Sequence, residues 1–281
     1  MSRVDLHAHT TISDGTLTPR ELVELAVEKG LVALGITDHD TTDGVPEALR
    51  AGQELGLWVV PGVELNTDTE DGHLDILGYF IDISNKELQA TLSEIRNARY
   101  YRAKRMVEKL RELGRPISFE RVLELSTEGA VGRPHVAQAL LEAGYVSSIS
   151  EAFELYIGRH GPAYADRYRM SPEEACALVR RAGGVPSLAH PTPASDPFSD
   201  PKDLNRLLPI LRDAGLGALE CYYPGYTSDV SAWLLSLAER FDLIPTGGSD
   251  FHGAAKPDID LGMVEVPLEY VERLRAATSK Q

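Results

Sequence analysis

The sequence predicts an α/β fold built on a parallel sheet or barrel, and three observations carry that prediction. Seven short, nearly continuous apolar segments alternate with helical ones over most of the chain, as strands buried on both faces between helices do. Ionisable residues collect just after those apolar segments, at the strand ends where such folds place their chemistry. A stretch with only helical patterning interrupts the alternation between the fourth and fifth strands.

The first strand lies in Val4-Asp5-Leu6-His7-Ala8-His9, whose alternation puts His7 and His9 on one side, and Asp14 follows in the polar loop. Residues 19–29 read as a helix with Thr18 as cap, Glu21 at its acidic start and Gly30 at its end. An apolar strand over 31–37 runs into Asp38-His39-Asp40, and a helix over 44–55 separates it from strands at 57–64 and 74–81. The alternation resumes with strands at 185–189, 217–221 and 243–246, separated by helices near 202–214 and 228–240.

In the interruption, 86–113 forms a long helix with apolar positions at Leu88, Leu92, Ile95, Met106, Leu110 and Leu113 and a basic run of Arg96, Arg99, Arg102, Lys104 and Arg105. Shorter helices follow near 118–126, 134–143 and 149–157. We read 83–165 as an all-helical insertion that covers the mouth of an α/β domain made of 1–82 and 166–281. Its basic face is either a solvated surface with neutralising pairs or an electropositive lid that faces substrate.

Bulk properties bound the function. A chain of 281 residues suits one large domain, or one domain with an insertion, and 43% hydrophobic with 25% charged residues is ordinary globular composition. No apolar run is long enough to span a bilayer and no leader pattern opens the chain, so a cytoplasmic protein without membrane association is expected. Cys176 and Cys221, the only cysteines, make no disulfide framework. A formal charge of -15 argues against grip on long duplex nucleic acid but not against a small phosphorylated substrate, because bound cations invert a local field. Composition leaves the oligomeric state open.

The strand ends present His7 and His9, Asp38-His39-Asp40, Glu64, His73 and Asp75, His190, and Asp250-Phe251-His252, and thereby gather six of the eight histidines. Buried imidazoles and carboxylates need partners to offset desolvation, and metal ions are the economical ones. Nitrogen and oxygen donors without cysteine suit Zn, Mn or Fe, and a dozen candidates exceed one closed four-ligand site. Two or three divalent ions with coordination open to water are therefore expected.

Five segments, His7-Ala8-His9 with Ser13-Asp14-Gly15, Ile36-Thr37-Asp38-His39-Asp40, Pro61-Gly62-Val63-Glu64, Leu188-Ala189-His190-Pro191 and Gly248-Ser249-Asp250-Phe251-His252-Gly253, resemble those of the PHP (polymerase and histidinol phosphatase) phosphoesterases, in family order. The likeness is to the stand-alone branch that is similar to nucleoside 3',5'-bisphosphate phosphatases and to a ribonuclease trimming short RNA from its 5' end. It implies a distorted (β/α)7 TIM-like barrel with an all-helical insertion after the fourth strand. It also implies that His7, His9, Glu64 and Asp250 hold one metal, that Glu64 bridges to a second held by His190 and a fourth-strand residue, and that Asp14, His39 and His252 hold a third. The fourth-strand histidine of the family is replaced here by Asp75 in register, with His73 as the substitute on the same face.

In the insertion, Gly132-Arg133-Pro134-His135 and Arg159-His160-Gly161 resemble segments that meet the substrate phosphate, which makes Arg133 and His135 the first candidates to clamp it, with Arg159 and Lys256 behind them. The implied chemistry is in-line attack on phosphorus by a metal-bridging hydroxide, with Arg133 and the ions neutralising the phosphoryl oxygens and Asp250 among the essential ligands. His190, His39 or a metal-bound water would protonate the leaving oxygen. The first expectation is a phosphomonoesterase that releases the 5' phosphate of nucleoside 3',5'-bisphosphates. The second is a 5'-3' exoribonuclease on short RNA, and behind both stand a phosphatase of another small metabolite and a metal-binding module without turnover.

Overall fold

The computed structural model describes residues 3–69, 72–126, 131–165, 170–193 and 203–278. Its strands are β1 (Arg3–Asp5), β2 (Leu31–Ile36), β3 (Trp58–Thr69), β4 (Gly72–Tyr79), β5 (Val185–Leu188), β6 (Ala218–Tyr222) and β7 (Ile244–Gly247). Its helices are α1 (Pro19–Glu28), α2 (Val45–Leu55), α3 (Lys86–Glu112), α4 (Phe119–Leu125), α5 (Arg133–Glu142), α6 (Ile149–Ala152, continued by a π-helical turn over Phe153–Ile157), α7 (Pro172–Arg181), α8 (Leu204–Asp213), α9 (Ser228–Arg240) and α10 (Leu268–Thr278).

The chain divides into two compact units, Met1–Gln89 with Met170–Gln281, and Ala90–Arg169. In the first unit the strands neighbour one another in sequence order from β1 to β7. Leu6 N–H donates to Gly247 O at 3.1 Å and His9 N–H to Phe251 O at 2.9 Å, so the chain leaving β7 pairs with the chain leaving β1 and closes the ring. Closure removes both sheet edges and brings the ends of β1 and β7 side by side.

β4 runs antiparallel to both β3 and β5, which corrects the expectation of a parallel arrangement throughout. Only residues 70 and 71 separate β3 from β4, too few for the crossover helix that a parallel pair needs. β3 also runs five residues beyond Glu64, to Thr69. Its first part pairs with β2 over Trp58–Pro61 and its second with β4, so Glu64 lies inside a long strand and not at its end.

Local sequence explains the helices around the sheet. Thr18 and Glu21 cap α1 reciprocally and Pro19 starts it, while Leu22, Val23 and Ala26 turn inward onto the core. Ser171 and Glu174 make the same box at α7, a helix absent from the sequence reading, as α10 is. α10 buries Val271 and Leu274 against Val4, Leu6 and Val185 beneath the strands.

The helical unit has its own core, built from Met106, Val107 and Leu110 of α3 with Val122, Val136 and Leu140. The barrel unit reaches further along the chain than the expected boundary at 83, because Asn85 Nδ2 donates to Arg181 O and Gln89 Nε2 to Thr42 Oγ1. The expected boundary at 166 lies outside the described residues. Among the described residues, no helix is long and apolar enough to cross a membrane.

Candidate metal centre

Three donor sets assemble at one end of the barrel. His7, His9, Glu64 and Asp250 form one, Glu64, Asp75 and His190 a second, and His9, Asp14, His39 and His252 a third. Glu64 belongs to the first two and His9 to the first and third, so the sets are continuous.

Glu64 and Asp75 stand inside β3 and β4, and the other donors lie on the chain that follows strand ends. His7 and His9 leave β1 fully buried, and Ala8 between them bridges to Phe251, which sets Asp250 and His252 opposite. Asp40, His190 and Asp250 hold left-handed backbone at φ 53°, 24° and 53°, a conformation costly for non-glycine residues unless surroundings impose it. Asp38 is not a donor; it organises the loop that carries Asp14, accepting from Thr10 N, Thr10 Oγ1 and Ser13 Oγ at 2.7–2.8 Å. Asp5, which sequence reasoning passed over, is fully buried and accepts from Ser249 N, Ser249 Oγ and Gly262 N at 2.9, 2.5 and 2.7 Å, tying β1 to the loop after β7.

Gly248 is required by the same close approach. A Cβ there would lie 2.3 Å from His7 N and 2.4 Å from His7 Cβ, both on rigid chain. Gly248→Ala is expected to lower folding stability by about 1–3 kcal/mol through overpacking, measured by urea denaturation, and to weaken cation binding by displacing His7.

The atoms aimed inward converge on shared points. His7 Nε2 and His9 Nε2 lie 3.3 and 3.2 Å from Glu64 Oε2 and 3.5 and 3.2 Å from Asp250 Oδ1. Two donors each about 2.1 Å from a tetrahedral ion stand roughly 3.4 Å apart, so these separations fit an ion between them. His7 Nε2, both ring nitrogens of His9 and Glu64 Oε2 are buried with no hydrogen-bond partner, which polar atoms in a folded interior rarely tolerate. His190 Nε2 meets Glu64 Oε1 at 3.1 Å and Asp75 Oδ2 at 3.8 Å. His252 Nε2 lies 3.3 Å and His39 Nε2 3.7 Å from the Asp14 carboxylate. The residues therefore fit a multi-ion centre.

Neighbouring groups orient the donors. The Asp250 carbonyl lies 2.8 Å from His252 Nδ1, so a proton held there leaves Nε2 facing Asp14. Asp250 Oδ2 accepts from Tyr223 Oη at 2.8 Å and Lys256 Nζ at 2.7 Å, which leaves Oδ1 for the histidine pair. Burial opposes charge on His9, but the Asp250 and Glu64 carboxylates 3.2 Å from its Nε2 outweigh it and raise the imidazole to about 10. His190 rises to about 9 against the same desolvation, through Glu64 and then Asp75. Burial would push the Asp250 and Glu64 carboxyls up, yet the imidazoles hold both well below the usual range. A cation held by these donors would take the place of protons on the imidazoles.

The structure brings together His7, His9, Asp14, His39, Glu64, Asp75, His190, Asp250 and His252. His73 is exposed two residues before Asp75 and belongs to none of the three sets. Lys256 sits on the Asp250 carboxylate. Arg133, His135 and Arg159 lie in the helical unit, where the Arg133 guanidinium stands 5.3 Å over the Phe153 ring, His135 Nδ1 accepts the Gly132 N–H at 3.0 Å, and Arg159 is exposed. Part of the basic run on α3 is engaged, Arg105 with Glu108 and Arg102 with the Ala165 carbonyl. Glu220, also unforeseen, is fully buried in β6 against His7. Its signal was a lone acid within Ala218-Leu219-Glu220-Cys221.

Residues 5–180 match the model of the PHP domain. The chain belongs to the PHP family. Curated relatives of this PHP protein include the 5'-3' exoribonuclease Rnm of Salmonella typhimurium, 35% identical over 262 residues that cover 92% of this chain and 87% of that protein. The 3',5'-nucleoside bisphosphate phosphatase of Chromobacterium violaceum is 30% identical over 267 residues, covering 94% of this chain and 92% of that one. Among solved structures, one from Bifidobacterium adolescentis, proposed to be a metal-dependent phosphoesterase, superposes with a TM-score of 0.82 at 36% identity and covers 98% of this chain and 96% of its own. The protein is a metal-dependent hydrolase of the PHP phosphoesterase family, and its seven-stranded ring is the PHP barrel.

Proposed function

We propose that this PHP protein is a 5'-3' exoribonuclease acting on short RNA, with nucleoside 3',5'-bisphosphates as further substrates of the same centre. This reverses the order of the two sequence expectations. The observation that carries it is likeness over about nine-tenths of the chain to exoribonucleases, at 35% identity to the Salmonella protein and 33% to the 5'-3' exoribonuclease of Haemophilus influenzae. The bisphosphate phosphatase relative, at 30% identity, supports the second substrate class. Both names describe attack on a ribose phosphoester, which one donor array serves.

In this reading His7, His9, Glu64 and Asp250 hold one divalent ion, Glu64, Asp75 and His190 a second, and Asp14, His39 and His252, with His9 beside them, a third. Mn, Zn and Fe all suit these nitrogen and oxygen donors. Bound divalent ions supply Lewis acidity and an acidified water. Glu64 and Asp250 are held ionised by the imidazoles around them and so remain donors at neutral pH. Among the cluster's imidazoles, His39 and His190 keep the most solvent access, at 21% and 28%, and a ring nitrogen of either that holds no ion would be placed to pass a proton to a leaving oxygen. Lys256 neutralises the second oxygen of Asp250 and so acts on the substrate through that carboxylate. Arg133 and His135, with Arg159, bind the substrate phosphate.

Arg133→Ala is expected to raise KM by about 10–100-fold with a smaller change in kcat, since a charge-assisted hydrogen bond contributes roughly 1.5–3 kcal/mol. Steady-state kinetics on a 5'-phosphorylated oligoribonucleotide checks this. The reading itself is tested by incubating the Mn-loaded protein with that oligonucleotide and, separately, with adenosine 3',5'-bisphosphate. Stepwise release of nucleoside 5'-monophosphates from the 5' end is expected; intact RNA alongside phosphate release from the bisphosphate would overturn the ribonuclease assignment.

A further inference from the structure

Glu220 belongs to none of the three donor sets, yet it is fully buried at the centre of β6 between Leu219 and Cys221, which are also buried. A carboxylate so placed carries a large desolvation cost unless both oxygens are used. Here both are used on groups of the metal centre. Oε1 lies 3.0 Å from His7 Nδ1, and Oε2 accepts the main-chain N–H of His190 at 2.6 Å. His190 is the residue whose backbone stands at φ 24°, a conformation that its surroundings must enforce.

We propose that Glu220 is a positioning residue that sets two donor sets at once. It fixes His7 in the tautomer that turns Nε2 to the first set, and it pins the main chain of His190 so that its Nε2 meets Glu64 and Asp75. The inference rests on the reading that His7 and His190 hold cations.

The reasoning follows from donors and acceptors. Glu220 Oε1 faces Nδ1, so a His7 that binds an ion holds its one proton on Nδ1 and turns the lone pair of Nε2 to the first set. That Nε2 is the atom buried without a hydrogen-bond partner, 3.3 Å from Glu64 Oε2 and 3.5 Å from Asp250 Oδ1. Glu220→Gln keeps the shape and loses this logic. If the amide NH2 faces His7, Nδ1 has to accept, and the imidazole proton moves to Nε2, where it blocks an ion. If the NH2 faces His190, it meets another N–H where an acceptor stood at 2.6 Å. Both orientations damage one donor set, whereas a carboxylate that merely filled space would be replaced by Gln without consequence.

The test is a calorimetric zinc titration of cation-free wild type and Glu220→Gln, each first shown to be folded by circular dichroism. Wild type is expected to bind more than one ion, and the variant to bind at least one of them about 10–100-fold more weakly. Affinities within threefold of wild type for every ion would overturn the proposal. A long-range 1H–15N correlation spectrum of zinc-loaded wild type supplies a measurement independent of the variant's folding. His7 protonated at Nδ1 and ligating through Nε2 is expected; a proton on Nε2 would overturn the proposal. Wild type that takes up no zinc at all would instead remove the metal-centre reading beneath it.

Discussion

Replacing His9 with alanine is expected to abolish phosphoester hydrolysis, and replacing Asp250 to do the same. His9, like Glu64, serves two sets, and its two ring nitrogens face different ones, Nε2 toward Glu64 and Asp250 and Nδ1 toward Asp14 at 3.7 Å. Its loss opens the boundary between two ion positions and leaves Glu64 and Asp250 less screened from each other in a buried site. Asp250 sits across from both histidines and is itself braced by Tyr223 and Lys256, so Asp250→Ala removes a ligand and strands a buried phenol and ammonium. Loss of a partner outside the ligand sphere costs roughly 10–100-fold, and loss of a ligand is expected to exceed that range. The measurement is kcat/KM for each variant with excess Mn, alongside circular dichroism. Activity within tenfold of wild type for either variant would contradict the assignment of these residues.

Stripping divalent cations is expected to silence the enzyme and to lower its melting temperature. Four carboxylates, Asp14, Glu64, Asp75 and Asp250, meet in this cluster, and Lys256 on Asp250 and protons on imidazoles such as His9 and His190 offset their charge without ions. A ligand that binds only the folded state adds about 2.7 kcal/mol at a hundredfold excess over its Kd. For a chain of this size that corresponds to roughly 5–10 °C per ion. Scanning fluorimetry after chelation, followed by Mn titration, reads both the loss and its recovery. A Tm indifferent to chelator and to added Mn would count against a high-affinity centre.

The ligand array was legible because its donors are chemically distinctive and fall where strands end. His7 and His9, Asp38-His39-Asp40 and Asp250-Phe251-His252 are polar insertions in apolar surroundings, which no core-packing role accounts for. The sequence put Asp75 ahead of His73 only by its register with a family segment, because both project from one face of β4. Strand register favours Asp75, which pairs with Asn66, two residues beyond Glu64 on β3, whereas His73 pairs with Asp68, four beyond. Each pair of residues advances a strand by about 6.7 Å, which carries His73 away from the donors. The antiparallel direction of β4 escaped the apolar pattern, since buried strands look alike whichever way they run. Glu220 and Asp5 escaped for a related reason: a single acid in a strand declares its burial and its partners only after distant strands have closed around it. α7 was equally legible, since Ser171 and Glu174 spell out its cap.

Crystals grown with Mn, with anomalous diffraction recorded on both sides of its absorption edge, test the central claim most directly. Anomalous peaks are expected between His7, His9, Glu64 and Asp250, between Glu64, Asp75 and His190, and between Asp14, His39 and His252, with Glu64 touching two of them. A map without peaks at these donors, or with ions bound only elsewhere on the protein, would contradict the account.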